Sequence, residues 1–420
     1  MKILVVVSKA ALGGHILSAF TIAKYLKKRG HTVIFAGGRG GLSTVIEKEL
    51  SFIEVPFPMW HGSRVSYFTW SSFPVVGQLR KIIQQYDFDI IHAFDARAYI
   101  HTSMAALYEG KPNCCTLCGG IDPLYNIPIA AKIVVFSEEQ RQKMQKQYSW
   151  KPERVEIIRT RVDVDKAISD DSPLPIDLPL IADVPSFMMI SSFDGTKSLS
   201  IMQVIDALEI LLEDHVLFQM IFIGGKGVFF EEMKQRAASI NEKWHRQVIT
   251  LTGPVVDAYK LLKKATIVLG VGRSAFEGMV FAKPTMVVGE NGYAGLVSEQ
   301  TVDAIGYYNF SGRNQKKLSS PKLLACELTN LLSDSEKQKL VGAFGQQFVL
   351  HEIDIKAGIS RIEKLYEYNV ASNTSVFRLG QWLSVLKIMV PIWRDNWWHT
   401  IGMPLKRIVR IIARNNKVQL

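Results

Sequence analysis

One carboxylate stands out against an apolar background. The stretch ATIVLGVGRSAFEGMVFAKPTMVVGENG (Ala265 to Gly292) carries Glu277 alone on a segment of small residues between two apolar runs, Ile267–Leu269 and Thr285–Val288. Short apolar runs bounded by glycine predict buried strands, with a helix between them. A single acid on the first turn of a helix behind a parallel strand is suited to gripping the two hydroxyls of a ribose. The loop after the second strand, Gly289-Glu290-Asn291-Gly292, can present backbone N–H groups to phosphate. Arg273 lies four residues before Glu277 and admits two roles: a cation for bound phosphate, or the partner of Glu277 in an i,i+4 ion pair. Near the start of the chain, Gly13-Gly14-His15 follows another apolar run. Glycines there let the backbone approach a bound group, and the helix beginning at that point supplies partial positive charge.

These residues need a scaffold of alternating strands and helices, and the chain supplies the pattern. Residues 2–7 are apolar, a helix follows with a stop at Lys27–Gly30, and His31–Ala36 reads as a second strand, which makes a βαβ opening. Further strands are expected at Ile53–Val55, Ile90–Ala93, Asn113–Leu117 and Lys132–Phe136, with helices around Val75–Tyr86, Tyr99–Tyr108 and Glu138–Tyr148. Ser169–Pro185 holds Pro173, Pro175, Pro179 and Pro185 and reads as an interdomain linker. A second alternation then begins, with strands at Phe187–Ser191, Leu217–Ile223 and Val248–Leu251 and helices at Leu199–Leu212 and Phe229–Asn241. The expected fold class is α/β, with two Rossmann-like doubly wound domains and a C-terminal amphipathic helical tail. The domains are residues 1–168 and 187–345, with a linker at 169–186, a return helix at 346–370 and a basic, Trp-rich tail at 371–420.

Composition agrees with this organisation. A chain of 420 residues exceeds what one core usually supports. The opening MKILVVVSKAALGG reads as a strand rather than a signal peptide, and no apolar run reaches the ~18 residues of a spanning helix. Three of the four cysteines fall in Cys114-Cys115-Thr116-Leu117-Cys118, which is no disulfide framework and points to a reducing cytoplasm. The net charge of +11 is uneven. From residue 371 onward Arg378, Lys387, Arg394, Lys406, Arg407, Arg410, Arg414 and Lys417 face one acid, Asp395. Leu405, Ile408, Val409 and Ile412 follow a helical spacing there, so an anionic membrane surface is the expected partner of 371–420. The alternative is that the apolar face packs on the protein body. With no recognised module, nucleic acid is not an expected partner.

Several segments resemble glycosyltransferases of the GT-B fold, family 4 in particular. GGHILSAFTIAKYLKKRGHTVIFAGGRG resembles the first βαβ of such enzymes. FDIIHAFDARAYI resembles their strand ending in His-x-His-Asp, here His92, Phe94 and Asp95, and Asp95 either lines the cleft or caps a helix. KIVVFSEEQRQKMQKQYSWKPERVEIIRTRVDVD resembles the end of their first domain, with Thr160-Arg161 where Asn-Gly is usual. The Glu277 helix, Lys283-Pro284 and the strand after it resemble the donor-binding segment of the second domain.

The resemblance implies a role for each matching position. Glu277 would hold the ribose, and Gly224-Gly225 would pass beside the base. Lys197 would be the lysine of an Arg-x4-Lys pair that balances the diphosphate, with Ser192 in the arginine's place and Arg273 as its substitute. Glu290, Asn291 and Gly292 would face sugar and diphosphate, Glu290 standing in for a first acid whose position, eight residues before Glu277, is Leu269. His15 would contact donor phosphate or acceptor, or else stand as a solvent-facing helix-cap histidine. Cys118 occupies the place of a sugar-pocket histidine.

The activity so implied is hexosyl transfer from a nucleotide diphosphate sugar, a UDP-sugar, to a lipid-linked or cell-envelope glycan acceptor in polysaccharide biosynthesis. Retention of configuration is expected, with neither a metal nor a separate cofactor. The location would be cytoplasmic, peripheral on the inner face of the cell membrane. Two alternatives use the same fold: a nucleotide-sugar epimerase, and a degenerate, non-catalytic binding protein.

Overall fold

The structure is a computed structural model that describes residues 1–58, 68, 71–119, 126–159, 161–193, 198–225, 228–315 and 318–397. The chain forms two compact units. One comprises Met1–Phe136, Lys143–Ile158 and the chain from Ser360 onward; the other comprises Ser137–Gln142 and Arg159–Ile359.

The first unit is built on seven strands: β1 (Lys2–Lys9), β2 (Thr32–Gly38), β3 (Ser51–Glu54), β4 (Ile90–Ala93), β5 (Asn113–Leu117), β6 (Ile133–Val135) and β7 (Val155–Ile157). They lie in the order β3-β2-β1-β4-β5-β6-β7, all parallel. Strands buried on both faces need continuous apolar runs rather than alternation, and Ile3–Val7 at the centre are fully buried. Helices Gly14–Lys28, Ser72–Tyr86 and Ala96–Tyr108 connect strands of the sheet.

The second unit has six strands: β8 (Ser186–Ile190), β9 (Gln219–Ile223), β10 (Ile249–Leu251), β11 (Ile267–Gly270), β12 (Thr285–Gly289) and β13 (Gly292–Leu296). Their order is β10-β9-β8-β11-β12-β13, parallel except for the β12–β13 pair. The proline-rich segment read as a linker has no strand or helix beyond Ser169, the last residue of the helix Val164–Ser169, but Leu174, Ile176, Leu178 and Leu180 pack on the core of Met188, Ile221, Leu261 and Val268. Ser169–Pro185 is thus a strap on the second unit, held by apolar contact. The chain changes unit earlier, between Ile158 and Arg159.

The return to the first unit runs through the helix Ile355–Ala371, whose Tyr366 is fully buried. The tail divides. Its first part forms the helix Ser375–Trp397, and Val385, Ile388 and Met389 of that helix enter the core of the first unit. Of the two roles open to the tail, packing on the protein body therefore holds for this helix. The amphipathic stretch Leu405–Ile412 lies outside the described residues. No helix among the described residues is long and apolar enough to cross a membrane.

Candidate functional site

In the second unit the strand order reverses between β8 and β11, and sites in open α/β sheets form outside the carboxyl ends of strands at such a point. Four strand exits converge there: Ser191–Phe193 after β8, Gly224–Gly225 after β9, Val271–Gly272 after β11 and the hairpin Gly289–Gly292 after β12.

The β11 exit is the best defined. β11 ends at Gly270 and the helix Arg273–Val280 starts three residues later, so Val271 and Gly272 make the whole connection. Ser274 stabilises this turn, its hydroxyl accepting from the Val271 N–H at 3.0 Å, and the Gly272 N–H donates to the Phe310 carbonyl at 2.8 Å. Arg273 occupies the first turn. Glu277 sits one turn further in, a correction to the first-turn placement, and is 8 % exposed. Arg273 Nε donates to Glu277 Oε1 at 2.7 Å, and its Nη1 donates to the Arg161 carbonyl at 2.5 Å. Of the two roles open to Arg273, the structure shows the i,i+4 ion pair. Burial raises the Glu277 carboxyl above its ordinary range, and the adjacent Arg273 guanidinium opposes this without cancelling it.

Leu269 explains the missing first acid. It lies within β11, fully buried, and pairs with Met189 and Met286. With a two-residue connection after β11, the position eight before Glu277 falls inside the sheet, where an ionised carboxylate would be costly.

Arg161, at a position where the resemblance implies glycine, has a structural use. Its guanidinium lies 4.6 Å from the Phe276 ring centroid and donates to Asn309 Oδ1 at 2.9 Å, while its carbonyl holds Arg273. The Arg161 segment is thereby tied both to the Glu277 helix and to Asn309.

The glycines of the site serve close packing more than open donation. Gly224 has φ +106°, its N–H donates to the Gly253 carbonyl at 2.8 Å, and a Cβ there would run into the Ser191 carbonyl. Gly225 is packed against the Phe193 ring. The loop expected to be open after β12 is the turn of an antiparallel hairpin in which Gly289 pairs with Gly292. Gly289 lies against Gly312, where a Cβ would approach the Gly289 Cα to 2.8 Å. The Glu290 N–H is spent on the Ser311 carbonyl at 2.9 Å, and the Tyr293 N–H on Gln203 Oε1 at 2.9 Å. Gly292 packs against the Gln203 side chain, and Asn291 Nδ2 donates to the Gln315 carbonyl at 2.7 Å. Glu290 is itself engaged, accepting from Arg313 Nη1 at 2.7 Å. This Arg313 was not singled out from the sequence. It also donates through Nη2 to Glu139 Oε2 at 2.6 Å, so two carboxylates hold one guanidinium beside the hairpin. Ser191 was likewise missed; its hydroxyl is buried with no hydrogen-bond partner among the described residues.

Lys197 lies outside the described residues. In the first unit, Gly13 is the N-cap of the helix Gly14–Lys28, with an extended φ of −169° that any residue adopts, and Gly14 and His15 are exposed on its first turn. Asp95 is a cap: its Oδ1 accepts from the Ala98 N–H at 2.7 Å, and its Oδ2 accepts from the Ser8 N–H at 2.8 Å. His92 is core, with Nδ1 2.7 Å from the Tyr366 hydroxyl and Nε2 2.7 Å from Thr116 Oγ1; burial lowers its pKa to about 3. Cys118 Sγ donates to the Phe94 carbonyl at 3.3 Å.

Two doubly wound, largely parallel sheets with helical crossovers, each in its own unit, make this the GT-B fold. Residues 12–166 match the family model described as Glycosyltransferase Family 4. Among solved structures, a glycosyltransferase from Rickettsia africae is 20 % identical with a TM-score of 0.66, covering 89 % of this chain and 99 % of its own. The Anabaena HepE protein, in complex with UDP and glucose, is 16 % identical with a TM-score of 0.64, over 87 % and 99 %. The UDP-GlcNAc 2-epimerase of Methanocaldococcus jannaschii is 12 % identical with a TM-score of 0.54, over 87 % and 99 %. No curated protein sequence matches the chain.

Proposed function

We propose that this protein is a glycosyltransferase that moves a sugar from a nucleotide diphosphate sugar, a UDP-sugar, to a lipid-linked or cell-envelope glycan acceptor. The observation that carries this reading is Glu277, held by Arg273 on the helix leaving β11, at the strand exits where the fold's ligands bind. HepE, a protein of the same fold, has been seen with UDP and glucose, and this supports the choice of donor.

In this reading Glu277 accepts the ribose hydroxyls. Arg273 acts as a positioning residue that keeps the carboxylate aimed and opposes its protonation. Lys197 and the start of the Arg273–Val280 helix balance the diphosphate as the leaving nucleotide gains charge, so no metal is required. Arg313 is the further cation, held by Glu139 and Glu290 beside the hairpin. Transfer with retention follows the family pattern. The work takes place on the cytoplasmic face of the membrane, with residues 371–420 as the peripheral attachment.

The second reading is a protein that binds the donor without transferring it. Leu269 in the sheet and Glu290 bound to Arg313 favour it, because both candidate sugar-side acids are absent or engaged. Thermal stabilisation by a panel of nucleotide sugars, followed by product analysis with a membrane extract as acceptor source, separates the readings. Transfer supports the first, binding without turnover supports the second, and epimerised donor points to the epimerase. Glu277→Gln is expected to weaken donor affinity about 10- to 100-fold, the worth of charge-assisted bonds to two hydroxyls. Unchanged affinity removes Glu277 from the ribose site.

A further inference from the structure

The helix Ser375–Trp397 has two apolar faces, and one of them enters the core of the first unit. On the inner face, Val385, Ile388 and Met389 are buried in the core of the first unit. Gln381 Nε2 donates to the Ile129 carbonyl at 2.8 Å, Ser384 Oγ accepts from the Ile129 N–H at 3.1 Å, and Trp382 meets the Tyr108 ring edge-on at 4.9 Å. These contacts fix the rotation of the helix about its axis. On the outer face stand Val376, Leu379, Leu383, Leu386, Val390 and Trp393, which are 82, 62, 61, 54, 64 and 42 % exposed. Their spacing alternates between three and four residues, so they form one stripe along roughly 25 Å of helix. Scattered exposed leucines need no explanation, but a continuous apolar row marks a contact surface.

We propose that this stripe is a lipid-docking face that seats the first unit on an anionic bilayer, the helix lying in the plane of the interface. Charge chooses the occupant. Arg378, Lys387 and Arg394 lie on the same helix, and residues 398–420 add Lys406, Arg407, Arg410, Arg414 and Lys417 with no acid. A second copy of the chain would bring the same positive charge against itself, whereas an anionic lipid surface complements it. The helix is not apolar enough to span, so the face buries only to the depth of the headgroup and acyl boundary. This inference rests on the membrane part of the reading above and is independent of the donor chemistry.

Sedimentation of the full chain with phosphatidylcholine vesicles, with and without phosphatidylserine, tests it against the double variant Leu383→Glu, Leu386→Glu. The wild type is expected to bind the anionic vesicles. Each substitution should lower partitioning about 10-fold or more, the worth of burying one leucine. Nucleotide-sugar stabilisation of the second unit should not change. Equal binding by wild type and variant overturns the stripe and leaves the rest of the membrane reading standing. Failure of the wild type to bind overturns both. A wild-type dimer that the variant converts to a monomer, with vesicle binding unaltered, assigns the stripe to a second copy and overturns the proposal. If circular dichroism shows the variant unfolded, quenching of tryptophan fluorescence by lipids brominated on the acyl chain decides instead. Trp393→Tyr should lose part of the quenching seen for the wild type, and identical quenching rejects the stripe.

Discussion

Removing Arg273 should strand a buried charge, and the cost can be worked from its contacts. Both side chains of the Arg273–Glu277 pair are largely shielded, at 14 and 10 % exposed. Arg273→Met removes the only cation bonded to the carboxylate among the described residues and also leaves the Arg161 carbonyl without this donor. Breaking one side of a buried pair costs about 3 kcal/mol at the low end, and the lost carbonyl bond adds about 1 kcal/mol. For a unit of about 200 residues, roughly 2–4 °C per kcal/mol gives a loss of roughly 8–16 °C in the melting temperature of the second unit. The pH dependence carries the sign. The Glu277 carboxyl is raised above its ordinary range mainly by burial, so the folded state holds its proton more tightly than the unfolded state does. Such a group favours folding at low pH, and the advantage is lost as pH rises from the unfolded value through the folded one. Without Arg273 the rise is larger, so the deficit of Arg273→Met should be greatest at alkaline pH and shrink as Glu277 becomes protonated. Adding Glu277→Gln to Arg273→Met should restore more than half of the loss. Differential scanning calorimetry from pH 5 to pH 8 reads all three outcomes. A deficit independent of pH, or a double variant no more stable than Arg273→Met, would refute the buried ion pair as the source.

Three further expectations follow from other parts of the structure. Gly224→Ala meets both a positive φ and the Ser191 carbonyl, so it should destabilise the second unit by at least about 2 kcal/mol in urea titrations. Asp95→Ala removes a helix cap and the tie to Ser8 and should cost the first unit about 1–2 kcal/mol, with donor affinity unchanged in calorimetry. His92 stays neutral in the fold while its unfolded counterpart protonates near pH 6.5, so the stability of the first unit should fall as pH drops from there toward about 3. The slope per site approaches ~1.4 kcal/mol per pH unit, and denaturant titrations of wild type and His92→Gln should show the variant losing that share.

The parallel core was legible because fully buried strands must be continuous apolar runs. Ile90–Ala93 and Asn113–Leu117 begin and end where their composition changes, and the helix Glu138–Tyr148 does the same. β13 was not legible, since Gly292–Leu296 has neither β-branched residues nor alternation, and its place is set by pairing with β12. That hidden strand is why a loop expected to offer free N–H groups is a closed hairpin. The site followed the same division. Glu277 was visible as a lone acid on an apolar helix, and its link to Arg273 obeys local helical spacing. Arg313 reaches Glu290 across 23 residues and Glu139 across 174, distances at which no local pattern survives. Arg161 looked like a departure from a family turn, and only its contact with Asn309, 148 residues away, reveals its use.

The first unit is discontinuous in sequence, and this has a consequence for how the protein is made. Tyr366, which holds His92, and Val385, Ile388 and Met389, which complete the core beneath the Ser375–Trp397 helix, lie more than 200 residues beyond β7. A ribosome releases the whole second unit before it releases them. Synthesis order is therefore the reverse of domain order: the unit that begins first is finished last, its core waiting on the chain's final segments while the second unit can already close. Chains truncated near residue 360 and released should accordingly show a protease-resistant second unit beside a still-sensitive first one.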